Sequence, residues 1–445
     1  MKAMVRRTFL GLGLAAALGL AAGGWQGAPA EHLFVLLPDG VSDSAEVAAR
    51  AEGILEEVWG LWLPQGVGTA IPEHFFSSLP PGLRPPAEEG PSFGVVMYDD
   101  PEGLWQETRR FGIAGTYLVP RYLGLEDLCE RLDERFSQAG APEDWSPLGM
   151  VLVHCPQGDC PALLAHELTH ALQDYVSMTI PTGSCPVELD REPRLVIEGM
   201  ARWTEFVLGY GGDFETLVRG PVAIWLTLGG WLDEVPEFLL YEIGASLFQY
   251  LSSVLSPPEL LALFSSPVRE LLGVPEGEFP ALFRHLYGTE WEEFLAGWRE
   301  WVLASPPPPE AELVYEERRL WFGVRTSLLW PLLTEGEREE IRAIRRAIWR
   351  GEGTLEGLRR ADAILKEAWA EPTPKAMAAI EARIASLRDW ARAISGPKAS
   401  AEVSALWLIR NAEPDHPERY LRDFVEAVNS YLISPAPSPL DVTVP

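Results

Sequence analysis

The chain has 445 residues, 47% of them hydrophobic, with 65 Asp and Glu against 36 Lys and Arg for a net charge of −29. That length is enough for more than one packed core. So acidic a chain is poorly suited to nucleic acid or an anionic membrane, and those partner classes are set aside.

The first ten residues carry Lys2, Arg6 and Arg7, Gly11 to Gly24 is a small-residue apolar run, and Ala28-Pro29-Ala30 offers an A-x-A cleavage site. The run is too short and too rich in Gly and Ala to read as a span, and no later segment suits one. Residues 1–30 are therefore read as a signal peptide, cleaved near Ala30, with no stable membrane insertion afterwards. Arg6-Arg7-x-Phe9-Leu10 is similar to the twin-arginine export motif. An exported chain, periplasmic or secreted, is expected. Loss of Lys2, Arg6 and Arg7 takes its charge from −29 to −32.

Residues 31–150 alternate strand and helix patterns. His32 to Leu37, Ser92 to Tyr98, Gly115 to Val119 and Gly149 to His154 read as strands, and Ser44 to Trp62 and Leu125 to Gln138 as helices. Pro80 to Pro91 reads as a loop. The four cysteines, Cys129, Cys155, Cys160 and Cys185, lie in the following stretch. In an exported protein an even count points to two disulfides, and three connectivities are open. Cys155 with Cys160 would close a small loop before the next helix, and Cys129 with Cys185 would then pair across it.

Pro161 to Tyr175 reads as one helix, with Pro161 suited to its first turn and Leu163, Leu164, Leu168, Ala171 and Leu172 forming an apolar face. It carries His166-Glu167-x-x-His170. Imidazoles four apart share a helix face and can hold one ion, with Glu167 beside them to take a proton from water. Glu198 follows 28 residues after His170 on a second helical segment and can complete a set of two His and one Glu. His154 reads as a packed or hydrogen-bonded strand-end residue, and Asp174 as helix decoration.

These residues resemble the gluzincin metallopeptidases. The likeness rests on His166-Glu167-x-x-His170, on Glu198-Gly199-x-Ala201-x-x-x-Glu205, and on Tyr241-x-x-Gly244. Weaker support comes from Gly288 to Phe294 with Trp298, and the resemblance covers about residues 93–304. It implies a zinc ion on His166, His170 and Glu198, Glu167 as general base, and Glu205 as a carboxylate orienting a ligating His. It also implies Tyr241 as donor to the oxyanion, with Tyr175 and Tyr250 as rivals for that role. The Gly115 to Val119 strand becomes a candidate for binding substrate backbone by β-addition. Ile197 replaces the Asn of the aminopeptidase pattern, Arg202 stands where thermolysin-like enzymes have Asp, and a Gly-x-Met-Glu-Asn element is absent. Endopeptidase action on a peptide or protein substrate is therefore favoured.

Residues 192–304 read as helical, 305–310 as a stiff proline-rich spacer, 311–433 as an all-helical C-terminal domain and 434–445 as a tail. Arg342, Arg345, Arg346 and Arg350 read as solvated helix faces. The expected fold is α+β: a mixed sheet (31–150) with the active-site helix and helical lower half of the catalytic domain (151–304), followed by the all-α domain. Two rival functions are a gluzincin-like fold that binds without catalysing, and a scaffold with a structural zinc clasp of Cys155, Cys160, His166 and His170.

Overall fold

The structure, a computed structural model, describes residues 25–370 with breaks, the longest at 64–91, 178–190, 265–277 and 321–332. The signal segment before Trp25, the Cys129–Cys185 pairing, and the chain beyond Ala370 with its tail lie outside the described residues. What is described is α+β and mostly helical, with one five-stranded mixed sheet. The chain divides into two compact units. Among the described residues no helix is long and apolar enough to cross a membrane.

The first unit, residues 1–107, 113–188 and 257–273, holds the sheet. Its elements are β1 (Trp25–Pro29), β2 (Leu33–Pro38), α1 (Ser44–Trp62), β3 (Phe93–Tyr98), β4 (Gly115–Leu118), α2 (Glu126–Gln138), β5 (Gly149–His154) and α3 (Pro161–Ser177). The strand order is β1-β2-β3-β5-β4. Unbroken apolar runs suit strands covered on both faces, and β2, β3 and β5 are the inner, parallel strands. Val35 aligns with Val95 and Val95 with Val151, all fully buried. β1 and β4 run antiparallel along the two edges.

Alternation along each strand sorts the side chains to the two faces. Phe34, Leu36, Val96, Tyr98, Met150 and Leu152 pack with Leu132 and Phe136 of α2. Phe93, of opposite parity in β3, meets Trp59 of α1 with ring centroids 5.8 Å apart, and Trp59 in turn meets Tyr175 of α3 at 4.8 Å. α1 presents Val47, Ala51, Ile54, Leu55, Val58 and Trp62 as one buried stripe, so it serves as the crossover between parallel β2 and β3.

β1 departs from the sequence expectation, which leaves residues 25–30 in the signal segment. Trp25–Pro29 pairs along its whole length with Phe34–Pro38. A cut after Ala30 would remove this edge strand. Its Gly, Ala and Pro give none of the apolar alternation that marks a strand, and Pro is tolerated because the strand lies at an edge.

The second unit, residues 108–112, 189–256 and 274–445, is helical where described. It comprises α4 (Arg191–Val207), α5 (Gly220–Thr227), α6 (Leu240–Leu251), α7 (Phe279–Tyr287), α8 (Trp291–Leu303), α9 (Pro309–Arg319), α10 (Glu335–Trp349) and α11 (Leu355–Ala370). α4 and α6 touch backbone to backbone. A Cβ on Gly199 would stand 2.4 Å from the carbonyl carbon of Gly244, and one on Gly244 2.3 Å from the Leu195 oxygen. Trp298 of α8 donates to Ser246 Oγ of α6 at 3.0 Å, both side chains buried. Around Phe283, the rings of Phe279, Trp291 and Phe294 close the α7–α8 corner.

The proline-rich stretch is not a free spacer. Arg219, buried at the end of a π-helical turn, donates to the carbonyls of Val302 at 2.8 Å, Ser305 at 2.9 Å and Pro306 at 3.3 Å. These bonds fasten the stretch to the helices before it. Leu313 and Leu320, within and just after α9, then pack on a core of Leu333, Ile341, Leu358, Ile364 and Leu365 shared with α10 and α11. The helices on both sides of the prolines therefore belong to one unit. Arg342 and Arg346 pair with Glu339 on an exposed face of α10, as a solvated helix requires.

Candidate metal centre

α3 begins at a fixed point. β5 ends at His154, whose Nε2 lies 3.1 Å from the Asp99 carbonyl oxygen. This is the hydrogen-bonded strand-end role expected of it. Cys155 and Cys160 then sit at disulfide distance, 2.06 Å, around a short 3₁₀ turn, and Pro161 opens the helix. Gly158 in that turn has φ +72°, and a Cβ there would meet Val47 of α1 at 2.8 Å. Arg50 of α1 reaches Asp159 at 3.5 Å. The loop is thus pinned to the sheet unit just before the helix starts. With the two sulfurs paired, neither is a thiolate donor, which counts against the zinc clasp of two Cys and two His.

On α3, Leu164, Ala165, Leu168, Ala171 and Leu172 are buried and set the helix's rotation. The same rotation carries His166 and Glu167 inward, at 8% and 5% exposure. The His166 and His170 rings lie one turn apart, with centroids 4.8 Å from each other. His166, His170 and Glu198 each offer one ligand atom, and these atoms all lie within 4.8 Å of one another, so the group can hold a metal ion.

The donor chemistry fits the ion that the sequence implies. Two imidazole nitrogens and a carboxylate oxygen suit zinc, and leave a fourth position of a tetrahedral site for water or substrate. His170 is already oriented. Its Nδ1 lies 2.7 Å from Gln173 Oε1, and a proton on Nδ1 completes that bond and leaves the Nε2 lone pair for a metal.

Gln173 was not among the sequence candidates, although its place three residues past His170 on the same helix was a legible signal. Asp174 is more than decoration: its Oδ2 accepts a 3.1 Å hydrogen bond from the Tyr117 hydroxyl, tying α3 to β4. Gly115, at the start of the same strand, leaves room for Glu167, since a Cβ there would lie 2.6 Å from Glu167 Oε1.

Glu205 is buried at 4% exposure one helical repeat beyond Glu198, and it pairs with Arg202. Arg202 also reaches Glu242 of α6 at 3.7 Å, and Glu242 pairs with Arg318 of α9. Burial, together with the neighbouring positive charge of Arg202, pulls the Arg318 pKa below its ordinary value, and Glu205 pushes it back up. Arg202 thus stands as a cation between two buried carboxylates. Among the tyrosines, Tyr175 is a core residue packed at a tilt against Trp59, and burial pushes its hydroxyl up to about 12. Tyr250 packs against Phe294 and Trp301 at 5.3 and 5.9 Å. Tyr241 stands half-buried at the start of α6. No family among the protein-family models matches this chain, and a search of the curated proteins returns no match.

Proposed function

We propose that the chain is an exported zinc metallopeptidase of the gluzincin type, with endopeptidase action favoured over exopeptidase. The observation that carries this reading is the convergence of His166, His170 and Glu198, with Glu167 buried on the helix position next to His166. Zinc in this set would supply a Lewis acid, able to bring the pKa of an attached water to about 7 and to polarise a scissile carbonyl.

The side chains supply the rest. Glu167 takes the proton of the attacking water and returns it to the departing amine, the two transfers asked of a general base that becomes a general acid. Gln173 holds His170 in the ligating tautomer, and Glu205 is the carboxylate candidate for the corresponding support of a His ligand. Tyr241 is the hydroxyl donor proposed for the oxyanion. The outer edge of β4 would take up substrate backbone by strand addition.

The test is hydrolysis of an unfolded protein by the zinc-loaded chain, compared with Glu167→Gln. Glu167→Gln should keep its zinc and lose turnover by about 10²–10⁴-fold. Undiminished turnover in that variant removes Glu167 as the base. No cleavage by the native zinc-loaded chain leaves a metal-binding protein without peptidase chemistry.

A further inference from the structure

Gly115 has no conformational reason to be glycine. It is the first residue of β4, aligned with Val153 of β5, and is not among the glycines with positive φ. Glycine within a strand weakens it, so the position needs another explanation. That explanation is space. A Cβ on Gly115 would have three nearest neighbours, all of them atoms of Glu167: Oε1 at 2.6 Å, Cγ at 3.0 Å and Cδ at 3.1 Å.

β4 cannot easily retreat from α3 to accommodate such a group. Tyr117 donates to Asp174 of α3 at 3.1 Å, and the His154 amide donates to the Ala114 carbonyl at 2.8 Å. Four residues of β4 are also paired along β5. The Glu167 side chain, with its rotatable bonds, is the part that yields. Restoring ordinary contact to an atom now 2.6 Å away moves it by about 1 Å. A displacement of that size at a reacting group is worth about 10²-fold in rate.

We propose that Gly115 is a positioning residue for Glu167: the bare strand backbone, latched to α3 through Tyr117 and Asp174, sets where the carboxylate stands. This rests on the metallopeptidase reading above. It assigns Gly115 no contact with substrate and predicts a defect in the chemical step without loss of metal.

The experiment compares native protein, Gly115→Ala, Glu167→Asp and the Gly115→Ala/Glu167→Asp double variant, each zinc-loaded, on an unfolded protein substrate. Gly115→Ala should lower kcat about 100-fold, leave KM within a few-fold, and keep one zinc per chain. In the Glu167→Asp background, where the carboxylate is drawn back by a methylene, the same alanine should cost much less. A second arm needs no activity. The thermal midpoint of the metal-free protein should rise more on adding Gly115→Ala to Glu167→Ala than on adding it to the native chain, because the clash is gone and the chain entropy of glycine is removed. Native kcat in Gly115→Ala, losses that multiply in the double variant, or equal midpoint shifts in the two backgrounds overturn the inference. If the native chain cleaves nothing, the catalytic reading falls first and the positioning role with it. If it cleaves and Gly115→Ala cleaves equally well, the positioning role alone falls.

Discussion

A histidine that is to bind a metal needs its proton on the far nitrogen, and the His170–Gln173 contact at 2.7 Å suits that tautomer. Gln173→Ala should therefore weaken zinc by about 10-fold or more without unfolding the chain, read by competition against a calibrated chelator. An unchanged affinity would show that His170 is oriented by other means. At this scale the sequence was informative where chemistry is local. The four-residue spacing of His166 and His170 and the step to Glu167 follow from helix geometry alone. Asp174 could not be read that way, because its partner Tyr117 comes from a strand 57 positions earlier. The tyrosines were equally undecided from sequence: a Tyr on an apolar helix looks the same whether it packs against Trp59, as Tyr175 does, or fills an aromatic corner, as Tyr250 does.

Among the elements, the inner strands were legible because β2, β3 and β5 are continuous apolar runs, and α1 because its stripe repeats at helical spacing. β1 was not, since its composition resembles a processing site and its partner strand supplies the order. The Glu-Gly and Tyr-x-x-Gly patterns also have a plain packing meaning here: Gly199 and Gly244 let α4 and α6 meet at backbone distance, which fixes the helix that carries Glu198. Gly244→Ala should destabilise the protein by about 1–3 kcal/mol, the usual cost of overpacking. Gly53→Ala makes a useful contrast, since a Cβ there meets nothing within 4 Å in the middle of α1. It should be stabilising by up to about 1 kcal/mol. Denaturant unfolding of both variants checks the pair, and equal effects would contradict the close-approach account.

At the scale of the molecule, the chain divides into two compact units, and the described helices on both sides of the proline-rich stretch fall in the second. Proline runs without an apolar pattern read as linkers, and the partner that fastens this one, Arg219, lies more than 80 residues before Ser305. Nothing in the run itself announces that contact. The cysteines are the converse case. Their even count pointed to disulfides, and Cys155–Cys160 braces the start of α3 where the short loop allowed it.

That disulfide also separates the two ways this chain could hold zinc, so the most direct test is zinc stoichiometry and affinity of the native chain beside Glu198→Ala and Cys160→Ser. One zinc per chain is expected, weakened by Glu198→Ala and left in place by Cys160→Ser. Zinc that disappears in Cys160→Ser and is unmoved by Glu198→Ala would contradict it, and would make His166 and His170 part of a structural clasp.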